Sequence, residues 1–428
     1  MFFKVTLYMF KKAFSLFIVV LAGETIFMHP FLVPRLYRSL MMEVWDVNNL
    51  DIGMAFSAYG ITAMLSYILG GPFADKFEPR GLMVVSLLLT VLGSLVLLFS
   101  PSSTTLLLAY GFFGVSTIFF MWSALIKVTH EIGGEKTRAT AMGLLEGGRG
   151  FVAALMSSFL VFIVGTQSSN TGIIINKANA LCSIYLTISI FMVLVCGLVW
   201  FGLKNIETRD AKTHDWSFSR ALDAAKDIKL WMLAVIILCA YCSYKNVGNY
   251  SVYMTDVKGM SILESSKFTS YVVWARPISA IAAGILADRL TIHIKGGRFI
   301  TLIICFILGS ISQFLLALDT FQSFNMILSA IVLGSCFAFA LRSIYFSVFG
   351  DFKINDNLIG TAVGIVSLVG YLPDFFYGSL TGYLIDRFPG QPGFTYVFSI
   401  NGLLLITGAL ASFLCYKASY KKNTPSTQ

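Results

Sequence analysis

Charge is what this sequence is short of. Of 428 residues only 12% are Asp, Glu, Lys or Arg, while 57% are hydrophobic. Water-soluble domains carry about 25% charged residues, so a large soluble enzyme is excluded. The marks of catalysis are missing as well: no H-E-x-x-H, no nucleophile elbow, no nucleotide-binding loop. The stretch EGGRG (146–150) follows no strand and lacks the lysine and serine of a phosphate-binding loop. Without an ATP site the chain is not read as a primary pump, and no cofactor or metal is expected. Cysteine is sparse and unsystematic. The seven (182, 196, 239, 242, 305, 336 and 415) nearly all fall within apolar runs, with no paired extracellular framework. Cys239 and Cys242 form a C-x-x-C, which inside an apolar run reads as small core residues before it reads as a redox or metal pair.

What is present in quantity is hydrocarbon. A membrane-crossing helix needs roughly 20 mostly apolar residues, and runs such as LMVVSLLLTVLGSLVLLF and YLTISIFMVLVCGLVWFGL supply them. Twelve candidate spans follow: about 13–34, 50–74, 81–100, 104–129, 140–165, 180–203, 231–255, 266–290, 298–318, 324–349, 358–386 and 394–417. The N-terminus, with Lys11 and Lys12 before AFSLFIVVLAG, imitates a signal peptide. Cleavage near Ala22 would leave an odd number of helices, so it is read as an uncleaved first span. The longest polar connection, residues 204–230, separates a first bundle (1–203) from a second (231–428). Within it WSFSRALDAAKDI places Trp216, Leu222, Ala225 and Ile228 at helical spacing, as an interfacial helix would.

The formal charge of +9 does not point to nucleic acid, because the basic residues recur at short loops instead of forming one patch. With the N-terminus inside, 20 of the 31 Lys and Arg fall on cytoplasmic segments, as the positive-inside bias requires. Both termini are therefore expected in the cytoplasm.

The halves repeat. Gly71-Pro-Phe-Ala-Asp75-Lys76 ends span 2, and Gly284-Ile-Leu-Ala-Asp288-Arg289 ends span 8, 213 residues later. Thr140-Ala-Met-Gly143 in span 5 matches Thr361-Ala-Val-Gly364 in span 11. Two six-helix bundles related by an axis along the membrane normal is the economical reading. Twelve spans with G-x-x-x-D-[RK] after spans 2 and 8 resemble the major facilitator superfamily over essentially the whole chain. The loop motif continues to Arg80 in the first copy and Arg298 in the second, although Pro79 and the extra TIHIKGG depart from the family pattern. A third copy, Gly382 to Arg387, resembles the organophosphate/phosphate exchange and anion-symport branches. The resemblance implies an all-α membrane fold of two pseudo-symmetric bundles and transport by alternating access. It also implies a gating role for Gly71, Asp75, Lys76, Arg80, Gly284, Asp288, Arg289 and Arg298. Gly143, Gly147 and Gly150 lie near one side of span 5, and Gly378 and Gly382 do so in span 11; small residues four apart suggest close helix packing.

Charges inside the spans carry the functional reading. One at mid-membrane costs at least about 2.5–3.5 kcal/mol on insertion scales, yet Glu24, Lys127, Glu146, Arg149, Lys245, Arg276, Arg342 and Asp374 all lie within spans. Such residues are expected to line a water-filled path. Glu146 and Arg149, three apart, can neutralise each other. Lys127 can instead snorkel to the cytoplasmic interface. Lys245 sits in YKNVGNYSVY, among tyrosines and asparagines that would suit a ligand-facing wall. Tyr59, Tyr241, Tyr244, Tyr271 and Trp274 are read as packing before substrate contact, and His29, before Pro30, as structural.

Five interior cations (Lys127, Arg149, Lys245, Arg276, Arg342) against three carboxylates favour an anionic solute. Glu24 and Asp374, read as lacking a partner, are the proton-coupling candidates, with Glu146 behind them. The sequence thus reads as a secondary transporter of a small organic or phosphorylated anion, by proton symport or anion exchange. Its setting would be a bacterial inner membrane; the solute and the lipid bilayer are its partners, and a monomer suffices. Two rivals stand: a carrier of zwitterions or cations such as amino acids or drugs, and a transporter-fold sensor, for which the 204–230 loop offers no output domain.

Overall fold

The computed structural model describes residues 2–74, 76–99, 101–169, 172–204, 228–318, 323–348 and 366–420. Asp75, the 204–230 connection apart from its ends, and the Thr361–Gly364 repeat lie outside them. The described residues are almost wholly helical, as hydrocarbon demands of a chain whose backbone must be satisfied within each segment. Among them nine helices are long and apolar enough to cross a membrane, or ten if the bent pair Phe10–Thr25 and Met28–Trp45 is one span.

Packing divides the chain into two compact units. Unit one contains residues 1–212 and 251–274; unit two contains 213–250 and 275–428. In unit one, α1 (Phe2–Thr25) packs along α6 (Trp122–Thr166) and α7 (Lys177–Gly202). α3 (Asn49–Ala74) packs along α5 (Ser103–Gly114), and α4 (Pro79–Val96) along α7. In unit two, α11 (Gly297–Ala317) packs on α12 (Phe324–Ile344) and α14 (Gln391–Tyr420), while α8 (Ile228–Asn246) packs on α12, α13 (Pro373–Arg387) and α14. Two of the crossings between units fall within helices, the first beside irregular backbone and the second in regular helix near a proline. A 3₁₀ turn, Val247–Asn249, separates α8 from α9 (Tyr250–Asp256) at the first crossing. Pro277 sits three residues past the second crossing, in α10 (Ile262–His293).

Two differences from the sequence reading matter. Span 1 does not stop near residue 34: a π turn at Met28–Leu32 leads into α2 (Val33–Trp45), with Pro34 in its first turn. Proline is tolerated there because the first turn has no intrahelical use for the missing N–H. α2 therefore carries two arginines, Arg35 and Arg38, into the buried part of unit one, where Arg38 Nη2 donates to the Asn49 carbonyl at 3.0 Å. Spans 4 and 5 are separate, Ser103–Gly133 and Ala141–Thr166, as the sequence reading has them, and the chain turns back between them, since Trp122 and Arg149, both assigned to α6, meet at 5.8 Å. A second π turn, Val115–Phe119, precedes α6. Its irregular backbone is resatisfied in place: Ser86 Oγ donates to the Ser116 carbonyl at 2.5 Å, and Thr117 Oγ1 meets Tyr59 OH at 2.9 Å.

The glycines of span 5 act differently from their four-residue spacing. A Cβ at Gly143 or Gly147 would meet no atom within 4 Å, whereas one at Gly148 would lie 2.7 Å from Val20 Cγ1 on α1. The close approach of α1 and α6 thus rests on Gly148. Overpacking costs about 1–3 kcal/mol, so Gly148→Leu should lower the thermal unfolding midpoint in detergent while Gly147→Leu leaves it near wild type. Equal midpoints for the two variants would remove the contact argument.

Candidate functional site

Each unit holds one cluster of membrane-embedded charge. In unit one, Arg149 on α6 is buried and its guanidinium is shared: Nε contacts Glu24 Oε2 at 3.2 Å and Nη1 contacts Glu146 Oε1 at 2.6 Å. The Glu146 bond is the i,i+3 pair expected from spacing; the Glu24 bond joins α1 to α6. The rings of Phe27 and Trp122 lie 5.3 and 5.8 Å from the guanidinium carbon, within cation–π range. Glu24 is buried and follows Gly23, whose Cβ would lie 3.1 Å from Leu125 Cδ2, so α1 and α6 approach closely at this level. Lys127, one turn and a half along α6 from Trp122, is only partly buried.

In unit two, Lys245 Nζ on α8 lies 2.5 Å from Asp374 Oδ1 in the first turn of α13. Tyr241 OH donates to both Asp374 oxygens, at 3.0 and 3.1 Å. Arg342, in the last turn of α12, lies 4.0 Å from the centroid of Tyr244 and 5.6 Å from that of Tyr241. Tyr371 stands edge-on to Tyr241 at 4.9 Å, and its hydroxyl meets Tyr345 OH at 3.3 Å. Arg276 is buried on the unit-two side of α10, next to Pro277.

Glu24 and Asp374 are therefore not the lone carboxylates that their isolation in sequence suggests; each is held by a cation from another helix. Sequence distance hid this, because the pairs are separated by 125 and 129 residues. The asparagines around Lys245 also turn inward. Asn246 Nδ2 donates to Gln313 Oε1 at 3.0 Å, and Asn249 Nδ2 and Tyr377 OH donate to Asn246 Oδ1 at 3.0 and 3.1 Å. Gln313 Nε2 donates on to Tyr250 OH at 2.8 Å. This buried amide–phenol network fixes the 3₁₀ break one residue after Lys245, and Tyr377 ties it to the helix that carries Asp374. Nothing in a single sequence distinguishes such an inward network from a ligand-facing wall. Arg35 and Arg38 escaped because span 1 was ended at Pro34; the Leu36 and Leu40 spacing beyond it is the helical signal that could have found them.

Around the loop motifs, Arg80 stacks on Trp200 at 4.7 Å and pairs with Glu78 at 2.9 Å. Arg298 Nη2 lies 3.8 Å from Asp288 Oδ1, and Asp288 is 75% exposed, so that contact contributes little to stability. Lys76 and Arg289 are exposed, and Gly71 and Gly284 lie within α3 and α10. Tyr59 is buried on Thr117, and Trp274 Nε1 donates to Ser158 Oγ at 2.9 Å, so both are packing residues. Buried His29 stacks on Tyr185 at 5.4 Å and its Nε2 meets Ser189 Oγ at 3.2 Å. The seven cysteines are free thiols, and no group of three or more metal-ligating side chains forms among the described residues.

Long apolar helices in two units that each bury an ion pair fit a membrane protein, and comparison with known proteins places it. A family model described as Major Facilitator Superfamily matches residues 13–372. The chain belongs to the Major Facilitator Superfamily. It is 26% identical to the inner membrane protein YihN of Escherichia coli K12, over 95% of this chain and 96% of the relative. To the inner membrane protein YqcE of the same organism it is 24% identical over 84% of each chain. A Cupriavidus necator protein named a probable sulfoacetate transporter, SauU, is 22% identical over 87% of this chain and 86% of its own. In fold it is similar to a bacterial homolog of the human lysosomal transporter Spinster, with a TM-score of 0.72 at 14% identity, covering 97% of this chain and 99% of that one. The nucleoside transporter NupG gives 0.71 at 15% identity, with 95% and 99% covered. The protein is thus an integral membrane member of a transporter superfamily.

Removing one partner of a buried ion pair leaves an uncompensated charge, at a cost of about 3–5 kcal/mol, whereas replacing both can be neutral. Arg149→Leu should therefore destabilise the detergent-solubilised protein strongly, and Glu24→Leu in the same chain should restore part of the loss. A double-mutant cycle on thermal unfolding reads the coupling; additive effects would mean that the two side chains do not pair in solution.

Proposed function

We propose that this superfamily member is a secondary active carrier of a small organic anion, working by alternating access, with Lys245, Arg342 and Arg276 as the anion-binding groups of unit two. Arg149 and Lys127 are the corresponding cations of unit one. The observation that carries the reading is the Lys245–Asp374 contact, an ion pair that an anionic solute can enter by exchange. A carboxylate, sulfonate or phosphate takes the place of Asp374 on the Lys245 ammonium and gains Arg342, whose planar fork suits such groups. Asp374, displaced from its cation, is the proton-coupling candidate of unit two. Solute binding and proton uptake are thereby linked through one side chain. Glu24, with Glu146, has the same relation to Arg149 in unit one. The contact between Asp288 and Arg298 is assigned to the gating loop, together with Arg80, Lys76 and Arg289. The name of the sulfoacetate-transporter relative supports an anionic solute. An inner-membrane location, with both termini in the cytoplasm, accords with the names of YihN and YqcE and with the positive-inside count.

A second reading has one observation in its favour. Tyr241, Tyr244 and Tyr371 gather aromatic faces beside Asp374, which an amine or other cation could use in place of Lys245. Against it, Arg342 already lies over Tyr244.

Thermal-shift measurements on the purified protein separate the two. A ligand at a hundred times its dissociation constant stabilises by about 2.7 kcal/mol. Carboxylates, sulfonates and phosphate esters should raise the midpoint of the wild type and fail to do so with Lys245→Ala, Arg342→Ala or Arg276→Ala. Asp374→Asn should keep the anion-induced shift and lose solute-coupled proton uptake in proteoliposomes. Stabilisation by amines that survives Lys245→Ala would transfer the assignment to the cation reading.

A further inference from the structure

A groove on unit one, separate from both charge clusters, has the polarity profile of a membrane lipid. It lies between the end of α6 and the start of α10, encloses about 400 Å³, and is lined by Ser158, Val161, Phe162 and Gly165 with Lys267 and Tyr271 opposite. Thr166, the last residue of α6, and Ser270 complete it. At 1.5 Å per residue, Ser158 and Ser270 both lie about 12 Å from the helix ends that flank the groove. Their mutual hydrogen bond at 3.2 Å confirms that these two levels coincide.

The deep end presents hydrocarbon despite its serines. Ser158 Oγ accepts from Trp274 Nε1, and Ser270 Oγ also meets Ser157 Oγ at 3.0 Å, so their polar atoms are used within the protein. Phe162 and Tyr271, both lining the groove, are 66% and 71% exposed, apolar surface of the kind acyl chains cover. Gly165 leaves the groove open, because a Cβ there would meet no atom within 4 Å. Toward the helix ends the lining turns polar. Lys267 lies about 8 Å in from the start of α10 and its flexible stem lets the ammonium rise to the level of Thr166. Glu264, the carboxylate within a turn of it, is turned onto the start of α10, where its Oε2 accepts from Ser261 N at 2.9 Å and Ser261 Oγ at 2.8 Å. The groove is thus apolar in its depth and cationic at its rim.

We propose that it holds one anionic phospholipid, with the phosphate at Lys267 and an acyl chain along Val161, Phe162, Gly165 and Tyr271. This site is independent of the transport reading. Native mass spectrometry on the intact protein, given equal phosphatidylglycerol and phosphatidylcholine of matched chains, tests it. The wild type should retain phosphatidylglycerol several-fold over phosphatidylcholine. Lys267→Gln should abolish that preference, and Gly165→Phe should lower retention of both lipids. Both positions are at the surface, and an unfolding midpoint like that of the wild type shows that each variant folds; should Gly165→Phe not, the Lys267→Gln comparison decides. Excess glycerol phosphate should leave lipid retention unchanged. Equal retention of the two lipids by the wild type, a preference that persists in Lys267→Gln, or displacement by glycerol phosphate would each overturn the assignment.

Discussion

In hydrocarbon a charge or an open backbone group has no water to turn to, and every other feature of this chain follows from meeting that demand internally. The constraint explains why the described residues are nearly all helix. It also explains why serine and threonine recur as donors to carbonyls within their own helices, as Thr129 does to Leu125 and Ser335 to Ile331. The buried charges obey the same rule at greater cost. Arg149 meets it with two carboxylates and two aromatic faces, Asp374 with an ammonium and a phenol.

Some of the charged residues lie close in sequence to irregular backbone or a proline. Glu24 precedes the Met28–Leu32 π turn by one turn, and Lys245 stands directly before the Val247–Asn249 break. Arg276 adjoins Pro277, and Asp374 follows the turn at Tyr371–Leu372 and Pro373. Backbone freed from its ladder is polar, so the surroundings that resatisfy it are the ones that can also host a charge. Helix breaks have a second consequence, because a broken helix can bend where an intact one resists. Two of the unit boundaries lie close in sequence to Asn249 and Pro277.

How much of this was legible depended on the range of the interaction. Spans were readable because each is a local run, and Glu146–Arg149 because a helix brings residues three apart together. The Glu24 and Asp374 partners were not, since no local rule links α1 to α6 or α8 to α13. Proline misled once: Pro34 reads as a stop in a hydrophobic tally, yet in the first turn of a helix it is a start, and two arginines were left outside the membrane reading on that account. The glycines of span 5 failed for a geometric reason. Four-residue spacing identifies a face but not which face meets a neighbour, and Gly148, one residue off the Gly143–Gly147 line, is the one against Val20. The inward turn of Asn246 and Asn249 was equally out of reach, because an amide is as suited to a buried network as to a solute.

The ion pairs themselves carry the last step. Two charges taken from water lose several kcal/mol of hydration each, and their attraction seldom exceeds that loss by much; a well-packed apolar pair of similar volume is often the more stable choice. Stability alone therefore does not account for Glu24–Arg149 and Lys245–Asp374. Under the proposed function, what such a pair has that Leu–Leu lacks is the capacity to change partners: its attraction offsets most of the desolvation cost of both charges, so a competing anion can take the carboxylate's place. A carrier needs this near-degeneracy, because a site that held its own carboxylate too tightly would never load, and one that held it too loosely would leave a bare ammonium in the membrane. On that proposal, the Tyr241 hydroxyl holds the carboxylate side of the pair, and the Tyr244 face holds the neighbouring Arg342.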